Sequence, residues 1–238
     1  MDRRQFLTSS ALIAGASMVA SPMVSFANTS RAPDDEDFWK IIRNQYNVTN
    51  KITNMEAGYW GIMSIPVTQA YIRNTHFVNS NNTYYVRREY NQDYNKIIER
   101  IAKKLGVGAD ELVLTRNATE AMSSLINGYN KLEEGDTVIY ADQDYGSMQS
   151  EMRYLRKYRG VDVVEIAAPE PASKQDMIDA YEKALNDHPK CKMILLTHVS
   201  NRTGIINPVK EITEMSKARG VDVLLDAAHS WGQFDFDF

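Results

Sequence analysis

From residue 112 to residue 226 short apolar runs take turns with amphipathic stretches, and this alternation constrains the fold more than any other property of the chain. The runs occupy 112–115, 137–141, 162–166, 193–197 and 221–226, and the stretches between them occupy 119–129, 148–158, 174–186 and 209–219. A continuous apolar run reads as a strand covered on both faces, and strands separated by helices join in parallel through crossovers. The pattern therefore predicts an α/β fold of the doubly wound class, a mostly parallel sheet with helices on both faces. Upstream, 38–46 and 94–105 carry apolar residues at helical spacing; in the second, Ile97, Ile98 and Ile101 share a face and Gly106 closes the helix. Between them, 71–95 is rich in Asn, Tyr and Arg, including Tyr84, Tyr85, Arg87 and Arg88. It reads either as a solvated connection or as part of a substrate mouth or subunit contact in which an arginine pairs a carboxylate.

The first 27 residues stand apart from this pattern. Arg3 and Arg4 precede Gln5-Phe6-Leu7, an uncharged run extends to Ala20, and Ser25-Phe26-Ala27 offers small residues where a signal peptidase reads them. The paired arginines resemble the twin-arginine export signal, whose machinery carries folded proteins. The expectation is a periplasmic protein cleaved after Ala27. A membrane anchor is the other reading, but the run is short against the ~20 residues of a bilayer span. No later stretch is apolar over such a length, so no permanent membrane span is expected. Residues 28–50 then form a polar lead-in with the first helix, and 51–238 form one large domain.

The chain carries 27 Lys plus Arg against 31 Asp plus Glu, a net charge of −4, which becomes −5 once Asp2, Arg3 and Arg4 leave with the export segment. Phosphate-neutralising surfaces need a basic excess on one face, so nucleic acid is excluded as a partner. The lone cysteine, Cys191, rules out an intrachain disulfide framework. His76, His188, His198 and His229 are too scattered to suggest a zinc site.

In open parallel sheets ligands bind beyond the carboxyl ends of the strands, and four of the runs here lead into polar segments. The run at 112–115 leads into Arg116-Asn117-Ala118-Thr119-Glu120, where a helix start offers free N–H groups and a positive dipole end to an anion such as phosphate. The same residues also read as a plain cap by Asn117 or Thr119. The run at 137–141 leads to Tyr145, either an exposed loop tyrosine or an aromatic face for a planar ligand. After 193–197 come His198, Ser200, Asn201, Arg202 and Thr203, then Gly204; these polar side chains either shape the loop by bonding one another or face a ligand. The last run delivers Asp226, followed by Ala227-Ala228-His229. A carboxylate after a buried strand needs a cation or several donors, and taken alone it fits a metal, a nucleotide or a local cap.

The order of these segments, a phosphate-cup helix start, an aromatic edge, an asparagine loop and then Asp-Ala-Ala-His, resembles the class V aminotransferase family of pyridoxal-phosphate enzymes from about Ile52 onward. Asn54-Met55-Glu56-Ala57-Gly58-Tyr59-Trp60-Gly61 is similar to the opening of its isopenicillin N epimerase-like branch. The resemblance implies the fold type I large domain, pyridoxal 5'-phosphate as cofactor, a small-molecule amino substrate and a homodimer. It also implies roles. Ala118 and Thr119 match the phosphate-binding turn, and Tyr145 matches the residue stacked on the pyridine ring. Asn201 matches the partner of the ring's phenolic oxygen. Asp226 matches the partner of the ring nitrogen, which keeps the ring protonated as an electron sink. His229 matches a position touching the cofactor oxygen or a substrate carboxylate. The catalytic pair is thus Asp226 and His229.

The Schiff-base lysine of the family lies further past the aspartate than the 12 residues that remain here, and no lysine follows Lys217. The expectation is the amino-terminal part of a longer enzyme, inactive alone. Its reaction would be of epimerase or aminotransferase type, through aldimine and quinonoid intermediates. The alternatives are a cysteine desulfurase or lyase of the same fold, for which Cys191 beside a buried strand is a poor nucleophile, and a non-catalytic periplasmic binding protein.

Overall fold

Four of the five apolar runs pair into one sheet. In the computed structural model, which describes residues 34–55, 58 and 60–233, they are β1 (Thr137–Ala141), β2 (Asp162–Ile166), β3 (Cys191–Thr197) and β4 (Asp222–Asp226). Their order is β2-β1-β3-β4 and every neighbouring pair is parallel. Seven α-helices accompany them among the described residues: α1 (Glu36–Arg43), α2 (Ile65–Arg88), α3 (Tyr90–Leu105), α4 (Ala118–Gly128), α5 (Gly146–Arg159), α6 (Lys174–Asp187) and α7 (Val209–Ala218). Residues 1–33, which include the segment read as an export signal, Glu56, Ala57 and Tyr59 of the opening motif and residues 234–238 lie outside the described residues.

The chain divides into two units, 1–55 with 62–82 and 56–61 with 83–238. In the first, Asp35 caps α1 by accepting the Phe38 N–H at 3.0 Å, and the Gln45 carbonyl accepts the N–H of Ile65, the first residue of α2. The backbone of α2 breaks at Asn82, at φ 30° and ψ −111°.

The second unit owes its core to the two-residue period of the strands. Val138, Tyr140, Met193 and Leu195 point to one face, where they meet Met122 and Ile126 of α4 and Met148, Met152 and Leu155 of α5. Ile139, Ala141, Ile194 and Leu196 point to the other, against Tyr181, Ala184 and Leu185 of α6 and Ile212 of α7. Full burial of each large aliphatic side chain is worth about 1.5–3 kcal/mol, and it is concentrated on the two central strands. Helices on both faces of a parallel sheet are what the alternation predicted.

Three expectations are corrected. Residues 112–115 pair with no strand among the described residues, and Val113 is 78% exposed. An apolar run becomes a strand only where a neighbour supplies a hydrogen-bonding ladder, and none does among the described residues. The stretch at 71–95, read without a secondary structure, lies in two helices, α2 and the start of α3; α2 buries no residue, so no buried apolar stripe announced it. In α3 the buried positions are Ile98 and Ala102, one turn apart, while Ile97 faces solvent. Gly106 does close α3, at φ +72°, a left-handed conformation that glycine adopts at no steric cost.

Candidate active site at the carboxyl edge of the sheet

Because all four strands run the same way, their carboxyl ends share one edge. The amino end of α4 lies there too. The helix packs on β4, and the hydroxyl of Tyr129, just past its carboxyl end, donates to Asp222 at 2.8 Å and to the Lys192 carbonyl at 3.2 Å, both at the amino ends of β4 and β3. An 11-residue helix rises ~16 Å, about the length of a five-residue strand. Residues 117–120 therefore stand level with the ends of the strands.

At that helix start Asn117 is the cap: its side-chain oxygen accepts the Glu120 N–H at 2.8 Å. Thr119 is thereby relieved of capping, and the N–H groups of Ala118 and Thr119 are first-turn donors with no intrahelical acceptor. Both residues are exposed. Glu120 would oppose an anion here, but Arg116 holds its carboxylate through Nε at 3.0 Å, Nη2 at 3.2 Å and its own N–H at 2.9 Å. These bonds keep the Glu120 carboxyl below its ordinary range.

Tyr145 follows β1 and begins α5, half-buried against the face that holds Met122 and Met148. Asp144, just before it, is 2% exposed and fully hydrogen-bonded. Burial pushes its carboxyl up to about 6; the bonds from Thr197 and Ala141 oppose this, and the charge of Asp226 adds to it. Sequence reasoning passed over Asp144 for the aromatic residue beside it. The available signal was a second acid in Asp142-Gln143-Asp144, directly after a run too apolar to leave it in water.

In the loop after β3 several of the polar groups bond within the loop or to the neighbouring β1 loop. Ser200 shapes it: the Ser200 hydroxyl oxygen accepts the N–H of Arg202 and Thr203, and the Ser200 N–H meets the Ile205 carbonyl. Arg202 reaches across to the Asp142 carbonyl at 3.2 Å. His198 is buried, which lowers its imidazole from the ordinary value. Asn201 is exposed at the tip, as are Arg202 and Thr203 beside it.

Asp226 ends β4 at 7% exposure, and among the described residues one donor meets its carboxylate, the Ala228 N–H at 3.0 Å on Oδ1. Its register partner is Thr197. His229 sits one turn on, half-buried, with the Gly58 backbone laid against its ring. A Cβ on Gly58 would lie 2.4 Å from His229 Cε1, so any larger residue there would push the imidazole ring aside. Burial pushes the Cys191 thiol up to about 11, which makes it inert.

The model of the class-V aminotransferase family matches residues 65–238. The chain belongs to that family. Curated relatives include a cysteine desulfurase of Haloferax volcanii, 29% identical over 69% of this chain and 39% of the relative. An isopenicillin N epimerase of Amycolatopsis lactamdurans is 24% identical over 84% of this chain and 50% of the relative. Among solved structures, a C-DES variant with glycine covalently linked to its PLP cofactor matches with a TM-score of 0.71 at 18% identity, over 82% of this chain and 52% of that one. The fold is thus that of the fold type I large domain. The chain spans half or less of the length of these curated relatives.

Proposed function

We propose that this class-V aminotransferase chain forms the cofactor domain of a pyridoxal-phosphate enzyme that acts on an amino acid or related amine, of epimerase or aminotransferase type. The observation that carries the proposal is the state of Asp226: a carboxylate buried at a strand end and met, among the described residues, by one backbone donor, so that an oxygen remains for a protonated ring nitrogen. The other groups at the edge suit the same guest. The N–H groups of Ala118 and Thr119 would hold its phosphate, with Glu120 already neutralised by Arg116. Tyr145 would cover a ring face, Asn201 would bond the phenolic oxygen, and His229, placed by Gly58, would reach a cofactor oxygen or a substrate carboxylate.

When bound, the cofactor supplies an electron sink for the carbanion formed at the substrate's α-carbon. The chain's part is electrostatic and positional. Asp226 holds a proton on the ring nitrogen, the helix start fixes one end of the ring, and the buried edge excludes water from Asp226. In the complete gene product, added pyridoxal phosphate should give a visible absorption band that borohydride removes. A protein without that band is not a pyridoxal-phosphate enzyme, and a binding role would replace this one.

A cysteine desulfurase or lyase is the second reading, favoured by the 29% identity to the Haloferax enzyme. Sulfide release from cysteine selects it, and racemisation or amino transfer without sulfide selects the first. The proposal further includes a homodimer and export by the twin-arginine machinery to the periplasm, with cleavage after Ala27. Amino-terminal sequencing of the periplasmic protein tests the last point, and a sequence starting anywhere but Asn28 overturns it.

A further inference from the structure

Asp144 has no part in the chemistry above, yet it is among the most buried charged groups of the described residues. Its Oδ2 accepts the N–H of Ala141, the last residue of β1, at 2.7 Å. Its Oδ1 accepts from Thr197, the last residue of β3 and 53 positions away, both the N–H at 3.0 Å and the hydroxyl at 2.6 Å. A local turn would need only the first of these bonds. The other two tie the end of one central strand to the end of the other.

What lies on either side of this tie gives it a use. Tyr145 follows Asp144 directly, and Gln149 secures the Asp144 carbonyl at 2.8 Å. On the far side Thr197 is the register partner of Asp226, and the next residue, His198, donates its N–H to the Asp226 carbonyl at 2.9 Å. One side chain thus joins the residue proposed for the face of a pyridine ring to the residue proposed for its nitrogen. All three donors need an acceptor, and a carboxylate is the side chain that presents acceptors only.

We propose that Asp144 is a positioning residue, whose carboxylate sets the spacing between Tyr145 and Asp226 by clamping β1 to β3 through Thr197. The proposal rests on the cofactor reading given above.

The test measures two ligands on the complete protein: pyridoxal phosphate, which needs the spacing, and inorganic phosphate, which needs only the helix start. Asp144→Asn keeps the size but turns an amide N–H₂ toward donors. Thr197→Val removes the hydroxyl and keeps the β3 N–H. Loss of a well-made bond to a charged group predicts that Asp144→Asn binds pyridoxal phosphate about tenfold or more weakly, with a displaced absorption band and phosphate affinity within about twofold of wild type. Thr197→Val should shift the same way by less. Unchanged pyridoxal-phosphate affinity in both variants overturns the proposal, and so does equal loss of both ligands, which marks a merely structural residue. If Asp144→Asn does not fold, Thr197→Val decides on the same criteria. Wild-type protein that binds phosphate but not pyridoxal phosphate refutes the cofactor reading and the clamp with it, a result read before any variant is made.

Discussion

The ends of β1 and β4 each deliver a carboxylate to the same edge of the sheet, and the protein treats the two in opposite ways. Asp144 spends both oxygens on three protein donors from two strands. Asp226, buried to nearly the same degree, takes one backbone N–H. Burial costs both of them solvation, and the first meets three protein donors where the second, among the described residues, meets one. A saturated carboxylate is a fastener, whereas a buried one with acceptor capacity to spare is where a positively charged ligand atom belongs. Burial alone therefore does not separate structural from functional acids; the number of donors already committed does.

The sharpest way to break this contrast is to delete the fastener. Asp144→Ala leaves three donors without an acceptor at about 1–3 kcal/mol each, some of it recovered by water, so the unfolding free energy should fall by about 3–6 kcal/mol. Chemical denaturation checks this, and a loss under about 1 kcal/mol would place Asp144 in the same class as Asp226.

The next effect is smaller and depends on pH. The Asp144 carboxyl is raised from 3.8 to about 6 in the folded chain, so the folded state binds the proton more tightly than the unfolded one. That contribution is complete below pH 3.8, is lost as pH rises through 6, and amounts to about 3 kcal/mol at 1.36 kcal/mol per unit. Carboxylates lowered by partners, such as Asp222 and Glu211, slope the other way. The quantity to measure is thus the stability of wild type minus that of Asp144→Asn, which should decline between pH 4 and 6 and then level. A flat difference would mean that the three donors outweigh burial.

Asp226→Ala tests the other side of the contrast. Stability should change by less than about 1 kcal/mol, because one backbone bond is lost. Pyridoxal-phosphate affinity should drop roughly 10- to 100-fold, the worth of a charge-assisted hydrogen bond of about 1.5–3 kcal/mol, and turnover should vanish. Undiminished turnover would sink the assignment of Asp226 to the ring nitrogen. The smallest effect is expected at the cap: Asn117→Ala should cost about 1 kcal/mol of stability and weaken phosphate binding only slightly, since Ala118 and Thr119 donate through the backbone.

The contrast also marks how far the sequence could be read. The sheet, its parallel sense and its helices were legible because β1 and β3 are apolar at every position that faces a helix, and burial on both faces leaves a continuous apolar run. Tyr145, Asn201, Asp226 and His229 were legible as residues placed just beyond such runs. Asp144 was not, because its meaning lies in Thr197, a partner that no local pattern announces. Residues 112–115 erred the other way, since a run of Leu and Val states a preference but cannot supply the neighbouring strand. The helix at 65–88 escaped notice for want of a buried stripe, a signal that exists only where a helix has something to pack against.

The 53-residue separation between Asp144 and Thr197 has a kinetic side as well. Bringing the two together closes a long loop, an entropic cost met before the contact returns anything, and β4 must then dock beside β3 before Asp226 reaches its place. A ligand that spans the ends of β1 and β4 therefore recognises the finished fold and not its precursors. Such a ligand draws the folding equilibrium toward the native state in proportion to its concentration. Cofactor supply in the growing cell would then govern how much of the chain survives proteolysis, and protein yield should track the vitamin content of the medium.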